Sequence, residues 1–319
     1  MILITGINGE MGSALVQKLY ALKFDNIIGF DLYEPKQEIK RCLYKSYTGD
    51  IQDKSMIEKI FKNHNIKTIY HLAAILSTQA ESNPIAAHNI NVGGFLNVIE
   101  NINQSNVKFF FPSSIAVYLL ENKNNQAITE SEFCDPNNIY GCNKLYCEKL
   151  GTYFSRYSNK INNLDFRSIR FSGIISANTL PQGGTSDYAP EMIHYAIQNK
   201  NYTCFVRNDS CIPFMVMPDA INAIVLLMNS NKKSLKKDVY HIQAFSPTVQ
   251  DIYNKLRLTF PNFKLDYKIN PNRQALIDSW PSILNQSNAK NDWNWNPTYD
   301  FNEAFEQYLI PKIREFYKK

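Results

Sequence analysis

Short apolar runs alternate with amphipathic helical patterns through the first half of the chain. Runs such as "ILIT" near the N-terminus and "VKFFFPSS" at 107–114 are almost entirely apolar, which is typical of parallel strands covered on both faces. Between them, helical spacing predicts helices over 53–64 and 84–104. Strands that alternate with helices in this way predict an α/β fold with a doubly wound, parallel Rossmann sheet.

The alternation lapses after "FRSIRFSGIIS", which we interpret as one buried strand at 166–176. Farther along, "VMPDAINAIVLLM" predicts a helix after Pro218 and "DVYHIQAF" predicts a strand. We therefore expect a Rossmann domain over residues 1–176. A smaller substrate-binding lobe is expected over 177–319, interleaved with the last strands of the sheet.

Composition removes several classes of function. Hydrophobic residues make up 44% and charged residues 20% of the 319 residues, which is ordinary for a folded globular protein. The net charge of +5 is spread thinly, and the cluster "NKKSLKK" at 231–237 reads as a solvated loop. No nucleic-acid partner is expected.

Cysteine usage and hydropathy point to the cytoplasm. The six Cys and five His show no zinc-site spacing, so we expect reduced thiols and no metal. The N-terminal "MILITG" starts a strand without a charged leader, and we find no apolar run near 18 residues. The sequence predicts a cytoplasmic protein with no membrane partner.

A glycine cluster follows the first strand. The stretch "TGINGEMG" lies at the mouth of a predicted helix and holds three of the 12 glycines in the chain. Such a turn lets a pyrophosphate approach the helix N-terminus, where N–H groups and the helix dipole favour anions. A glycine turn without a ligand is the alternative, but the flanking strand and helix favour a dinucleotide site. The residues expected to contact the cofactor here are Gly6, Asn8, Gly9, Glu10, Met11 and Gly12.

The choice of cofactor depends on Asp31, at the end of the second strand. A carboxylate there accepts hydrogen bonds from the ribose hydroxyls and repels a 2′-phosphate, which favours NAD over NADP. Lys36, Lys40 and Arg41 follow closely and keep NADP open as the alternative. Further cofactor contacts are expected at later strand ends and in the helix 84–104, namely Asp50, Ile51, Leu72, Ala73, Ala74 and Asn91.

Tyr140 and Lys144 lie one turn apart in "IYGCNKLYCEK". The spacing alone is weak evidence for a catalytic pair, because the chain has 19 Tyr and the same spacing recurs at Tyr308 and Lys312. What distinguishes the first pair is the strand end "FFFPSSIAVY" before it, which places Ser114 at the edge where ligands bind. A phenol titrates near about 10, so a tyrosine base needs a nearby cation. The lysine and the nicotinamide ring supply that charge.

These motifs resemble a known family. In their order, "GINGEMG", "PSSIAVY" and "YGCNK" are similar to the extended short-chain dehydrogenases/reductases, which include sugar-nucleotide epimerases and dehydratases, and the resemblance spans the chain. It implies that Tyr140 is the general base or acid, and that Lys144 holds the nicotinamide ribose and lowers the tyrosine pKa. Ser114 would steady the substrate oxygen. The sequence departs from the family pattern at two places, an Asn before the lysine and a missing glycine in "VYLLENKNN". The resemblance therefore does not predict the geometry of the loop 118–126.

Longer stretches are similar to short-chain NAD-dependent L-threonine 3-dehydrogenases: "ILSTQAESNP", "RFSGIIS", "GGTSDYA", "CIPFMVMPDAI" and "DSWPSILNQSNAKNDWNW". The resemblance implies oxidation of the L-threonine β-hydroxyl to L-2-amino-3-oxobutyrate, which 2-amino-3-oxobutyrate CoA ligase cleaves to glycine and acetyl-CoA. It also implies a homodimer, and helices 84–104 and 140–157 have apolar positions on more than one face. Alternatives are a sugar-nucleotide 4-epimerase or reductase and a dinucleotide-sensing regulatory protein; the intact Ser, Tyr and Lys disfavour the sensor.

An amino-acid substrate calls for a compact set of short polar groups. Ser77 follows the fourth strand, and the loop around Gly184 carries Thr185 and Asp187, whose carboxylate can balance an ammonium. In the alternative, Thr185 or Ser186 caps a helix and Asp187 lies in its first turn. The substrate contacts we expect are Ser77, Ser114, Tyr140, Gly184, Thr185 and Asp187.

Overall fold

The computed structural model of the chain describes residues 1–121, 126–159, 161, 163–181 and 183–318. The described chain forms two compact units, each built from separate stretches. The first unit comprises Met1–Val117, Pro136–Arg170 and Ile221–Tyr240, and the second comprises Tyr118–Asp135, Phe171–Ala220 and His241–Lys319. The domain border at residue 176 remains a prediction.

A seven-stranded sheet is the centre of the fold. In chain order the strands are β1 (Ile2–Thr5), β2 (Ile27–Asp31), β3 (Lys45–Thr48), β4 (Thr68–His71), β5 (Lys108–Ser114), β6 (Asp165–Phe171), β7 (Gly173–Ile175), β8 (Tyr202–Cys204), β9 (Phe214–Val216), β10 (Val239–Ile242) and β11 (Leu265–Tyr267). The sheet order is β10-β6-β5-β4-β1-β2-β3. Strand β1 is parallel to β2 and β4, and β2–β3 and β4–β5 are also parallel. The predicted doubly wound fold is confirmed.

The single strand predicted at 166–176 is wrong. The chain leaves the large sheet after Phe171, and β7 pairs with β9 in a separate two-stranded sheet. At Gly173 a Cβ atom would lie 2.6 Å from the ring of Phe214, so the missing side chain allows this close pairing. Strands β8 and β11 form a third, small sheet.

Helices cover the strands. They are α1 (Glu10–Ala21), α2 (Gln37–Lys40), α3 (Lys54–Asn63), α4 (Ser77–Ser82), α5 (Pro84–His88), α6 (Gly94–Glu100), α7 (Ile139–Arg156), α8 (Tyr188–Ile197), α9 (Met217–Asn229), α10 (Val249–Thr259), α11 (Pro271–Ser279), α12 (Ser287–Trp293), α13 (Phe301–Glu303) and α14 (Ile310–Phe316). Turns of 3₁₀ helix span Ile115–Val117 and Lys232–Ser234, and π-helical turns span Asn89–Gly93 and Ala304–Leu309.

Two helix predictions have different outcomes. The helix expected at 53–64 is α3, which begins where the Asp53 carboxylate accepts the N–H groups of Ser55 and Met56. The long helix expected at 84–104 runs without a break from Pro84 to Glu100 with a π-helical turn inside it, so only its predicted C-terminal end is wrong.

Aromatic packing fills the first unit beneath β4 and β5. Phe95 contacts Phe109 and Phe111 edge-on, with ring centroids 5.4 and 5.3 Å apart, and Phe166 continues the cluster from β6. Burying each of these rings contributes about 2 kcal/mol. The cluster therefore fixes the strand ends that carry the candidate site.

Some features are absent from the part of the chain that the structure describes. Within it, no helix is long and apolar enough to cross a membrane. The six cysteines are free thiols, and we find no group of three or more acidic, His or Cys side chains that could hold a metal ion there.

Candidate active site

The glycine turn lies at the point where the strand order reverses. Because β2 and β4 flank β1 and their connections run in opposite directions, a crevice opens at the carboxyl ends of β1 and β4. Gly6 has φ +76°, and a Cβ there would lie 2.7 Å from the Ala73 nitrogen. The Leu72 and Ala73 N–H groups donate to the Thr5 carbonyl and hydroxyl oxygens, at 3.1 and 3.2 Å. The segment after β4 thus lies directly against the glycine turn.

The start of α1 can accept an anion. A side chain at Gly12 would overlap the Gly6 carbonyl oxygen, so only glycine lets the helix begin this close to the turn. Gly9 precedes the helix and brings no side-chain cap to it. The N-terminal dipole of α1 therefore points into the crevice, as a pyrophosphate requires.

Asp31 lies at the rim of the same turn. One carboxylate oxygen accepts the Asn8 N–H at 2.8 Å, and the other accepts the Tyr33 N–H at 3.3 Å. The Asn8 amide donates to the Tyr33 carbonyl at 2.7 Å. These bonds fix a partly exposed carboxylate at the end of β2, beside the glycine turn, and the predicted residues fit an NAD site.

Asp50 and Ile51, at the end of β3, take different places. Asp50 is exposed and accepts the Gln52 N–H at 2.9 Å. Ile51 is buried, and its side chain packs where a Cβ at Gly94 would come within 2.8 Å. Asp50 can still meet a ligand, whereas Ile51 supports the helix behind it.

Asn91 ties the segment after β4 to the π-helical turn. Its buried amide accepts the Ile75 N–H at 2.7 Å and donates to the Ile75 carbonyl at 3.1 Å. Ala74 precedes this anchor, and Ser77 begins α4 just beyond it. Asn91 therefore positions the backbone near two predicted site residues.

The tyrosine helix α7 begins against the turn that follows Ser114. The Asn138 side chain accepts the Gly141 N–H at 2.8 Å and donates to the Ala116 carbonyl at 3.3 Å. A side chain at Gly141 would overlap that same carbonyl oxygen. Ser114 Oγ accepts the Ala116 N–H at 3.1 Å. A shared neighbour, Ala116, thus connects the serine to the start of the helix that carries Tyr140.

Lys144 is buried beneath the same strand end. Its ammonium donates to the Pro112 carbonyl at 2.7 Å and lies 4.6 Å from the Phe111 ring centroid. The Tyr140 ring centroid is 5.4 Å from the ammonium. The structure therefore brings the predicted tyrosine and lysine together on the end of β5.

Burial dominates the titration of both groups. It raises the pKa of the Tyr140 phenol above its usual range and lowers the pKa of Lys144 to about 8, an effect that Cys147 and Glu148 oppose. Burial therefore shifts the pKa of Tyr140 opposite to the direction expected from the lysine, because removing the phenol from water disfavours its charged form. A second positive charge, such as the nicotinamide ring, has to supply the lowering.

The loop 183–187 belongs to the second unit. Asp187 Oδ2 accepts the Gly184 N–H at 2.7 Å, and Arg273 donates to the Gly183 carbonyl at 2.8 Å. Asp187 is the residue before α8 and makes no side-chain capping bond to it. The alternative in which Thr185 or Ser186 is the cap is therefore wrong. Residue 182, directly before this loop, lies outside the described residues, as do residues 122–125 of the loop 118–126.

Comparison with known proteins identifies the family. The sequence profile of the NAD dependent epimerase/dehydratase family matches residues 2–242. The chain belongs to this family. NAD is accordingly its cofactor, and the resemblance to extended short-chain dehydrogenases/reductases is confirmed.

Individual relatives cover nearly the whole chain. A Staphylococcus haemolyticus protein described as an uncharacterized epimerase/dehydratase is 34% identical, over 98% of each chain. The crystal structure of an L-threonine dehydrogenase from Clostridium difficile is 33% identical, with a TM-score of 0.90 over 99% of this chain and 98% of that one. A monomeric L-threonine 3-dehydrogenase from a metagenome is 34% identical, with a TM-score of 0.88 over 99% of each.

Three supporting residues escaped the sequence analysis. Asn138 caps α7, Gly141 lets it approach Ala116, and Glu148 forms a buried ion pair one turn past Lys144. The stretch "NNIYG" does carry a signal, because Asn is a common N-cap residue directly before a helix.

Proposed function

We propose that the protein is an NAD-dependent L-threonine 3-dehydrogenase. The observation that carries the proposal is its similarity to solved L-threonine dehydrogenases over 98–99% of both chains, at TM-scores of 0.88 to 0.90. The similarity covers the sequence of both units and so extends beyond the Rossmann sheet, a fold that hosts many functions.

In this reaction L-threonine loses a proton from its β-hydroxyl and a hydride from its β-carbon, which leaves a ketone. NAD, when bound, supplies the hydride acceptor. Tyr140 takes the hydroxyl proton, and Ser114 donates a hydrogen bond to the same oxygen. Lys144 holds the ribose and keeps a positive charge beneath the tyrosine. The product is L-2-amino-3-oxobutyrate, which we expect 2-amino-3-oxobutyrate CoA ligase to consume.

Substrate recognition requires partners for an ammonium and a carboxylate. We assign the ammonium to Asp187, whose carboxylate already holds the Gly184 N–H. Short hydroxyls at Ser77 and Thr185 suit the carboxylate, and the neighbouring backbone can add N–H donors. A sugar nucleotide would instead need a long groove with contacts to a nucleoside.

Replacing Tyr140 by Phe tests the catalytic assignment. Turnover of L-threonine should fall by at least about a hundredfold, because a positioned acid–base group contributes that much. NADH affinity, followed by cofactor fluorescence, should stay within about twofold. The matched control is Tyr20→Phe, which changes an exposed tyrosine on α1. A Tyr140→Phe variant with wild-type turnover contradicts the proposal.

We also propose a homodimer through the outer face of α7. Tyr146, Tyr153 and Tyr157 share that face and are 50%, 51% and 73% exposed. Such a row of aromatic rings is typical of protein interfaces. The monomeric metagenome enzyme has a similar fold, so the fold alone does not determine the oligomeric state. Sedimentation of the wild type should give a mass of about twice 36.8 kDa. Tyr153→Glu should give the monomer mass, whereas the control Tyr20→Glu, on α1, should keep the dimer mass. A wild-type mass of 36.8 kDa at micromolar protein would rule out the dimer.

A further inference from the structure

Helix α7 carries a buried carboxylate one turn beyond Lys144. The Glu148 side chain is 1% exposed and that of Arg170, on β6, is 4% exposed. The Arg170 guanidinium donates hydrogen bonds to both Glu148 carboxylate oxygens, with Nε–Oε1 at 2.8 Å and Nη2–Oε2 at 2.7 Å. The pair is desolvated and has the two-pronged geometry that best fixes a carboxylate.

Stability alone does not account for such a pair. Removing two charges from water costs several kcal/mol per ion, and apolar replacements of buried pairs are often neutral or stabilising. Phe166 and Cys147 of the hydrophobic core lie on the same strand and helix, and β6 carries a second buried pair, Arg167–Asp165. What sets the Glu148 pair apart is its position one helical turn beyond the buried Lys144 ammonium.

The groups around Lys144 differ in charge. Burial lowers the pKa of His71, on β4, to about 3 and raises that of Cys147 to about 12, so both are neutral near pH 7. Burial also keeps Tyr140 neutral. On the helices packed beside α7, Glu81 and His88 are exposed to solvent. The Glu81 carboxylate accepts the Ile139 N–H at the start of α7, whereas Glu148, one turn beyond the ammonium, is buried with its partner Arg170.

We propose that Glu148 is a positioning residue that keeps Lys144 protonated beneath the tyrosine, and that Arg170 holds the carboxylate in place for this purpose. Glu148 lies one turn beyond Lys144 on α7, whereas Arg170 comes from β6, so the negative charge of the pair belongs to the helix that carries the ammonium. The inference rests on the proposed role of Lys144 at the ribose, and it does not depend on which substrate is oxidised.

The sign of the effect follows from these charges. Burial lowers the pKa of Lys144 to about 8, against the opposing influence of Cys147 and Glu148. Because the Cys147 thiol is neutral below about pH 12, the opposition near neutral pH comes from Glu148. Removing that carboxylate should lower the lysine pKa further, and removing only Arg170 should raise it.

NADH binding reports the charge on Lys144 without any turnover. Fluorescence titrations from about pH 6 to about pH 9.5 should show affinity falling about tenfold as the ammonium loses its proton, since charged hydrogen bonds are about twice as strong as neutral ones. Lys144→Met should abolish this pH-dependent fall in NADH affinity. The Glu148→Gln variant should move its midpoint down by about one pH unit, a tenfold change in proton dissociation. Arg170→Gln should move it up.

The matched control breaks another buried pair on the same strand. Arg167 grips Asp165 with Nε–Oδ1 at 2.9 Å and Nη2–Oδ2 at 2.6 Å. Asp165→Asn should lower the melting temperature and leave the midpoint unchanged. A Glu148→Gln midpoint equal to that of wild type, or shifts of the same sign in Glu148→Gln and Arg170→Gln, would overturn the proposal. If Glu148→Gln does not fold, an unchanged or lowered midpoint in Arg170→Gln overturns it.

Discussion

One methyl group at Gly141 should displace the catalytic helix. A Cβ built there lies 2.8 Å from the Pro136 Cβ and 2.9 Å from the Ala116 carbonyl carbon, and it overlaps the Ala116 oxygen. Carbon atoms need about 3.5 Å, so α7 or the 3₁₀ turn must move by at least about 0.7 Å. Tyr140 and Ser114 flank this contact, and their separation should change by a similar amount.

A misplacement of about 1 Å can cost about a hundredfold in rate, or about 2.7 kcal/mol of transition-state stabilisation. Gly141→Ala should therefore lower kcat/KM for L-threonine by about two orders of magnitude, measured as NADH absorbance. Alanine favours a helix over glycine by about 1 kcal/mol, so a loss at this position has to come from the contact.

Gly93→Ala is the matched control. Gly93 ends the π-helical turn, and a Cβ there meets nothing within 4 Å. That variant should keep wild-type kinetics and an equal or higher melting temperature. Wild-type kcat/KM in Gly141→Ala would refute the reasoning that this contact sets the distance between tyrosine and serine.

Three further changes test other parts of the account. Asp31→Ala should narrow the preference for NAD over NADP, and equal use of both cofactors by the wild type would show that Asp31 does not select the cofactor. Asp187→Asn keeps an acceptor for the Gly184 N–H and removes the negative charge, so KM for L-threonine should rise while NADH affinity stays nearly unchanged. A lower melting temperature with unchanged KM would instead assign Asp187 a structural role. Asp53→Ala should cost about 1 kcal/mol of unfolding free energy by urea titration with unchanged kcat/KM, because it removes the cap of α3, and an unchanged midpoint would contradict that.

The alternation of apolar strands and amphipathic helices was sufficient to predict the sheet, because strands covered on both faces have few other solutions. It failed where tertiary contacts override local pattern. The break at Ser172 depends on the ring of Phe214, more than 40 residues away, meeting Gly173. The π-helical turn at 89–93 accompanies the bonds from Asn91 to Ile75 across a loop.

The candidate site was predictable where chemistry and spacing coincide, as at Gly6, Asp31 and the Tyr140–Lys144 pair. Supporting groups were not, because their partners are distant in sequence. The partner of Glu148 is Arg170, on a strand 22 residues away, and no spacing rule connects them. The pKa of Tyr140 in the protein alone also escaped prediction, since it depends on how much water the fold excludes.

The most direct test of the central claim is incubation with NAD and, separately, L-threonine, UDP-glucose or UDP-galactose. NADH absorbance and the organic products are followed together, because an epimerase returns its hydride and accumulates no NADH. The account predicts NADH and L-2-amino-3-oxobutyrate in equal amounts with L-threonine, neither with the sugar nucleotides, and almost none with Tyr140→Phe. Interconversion of UDP-glucose and UDP-galactose, with no NADH from L-threonine, would contradict it.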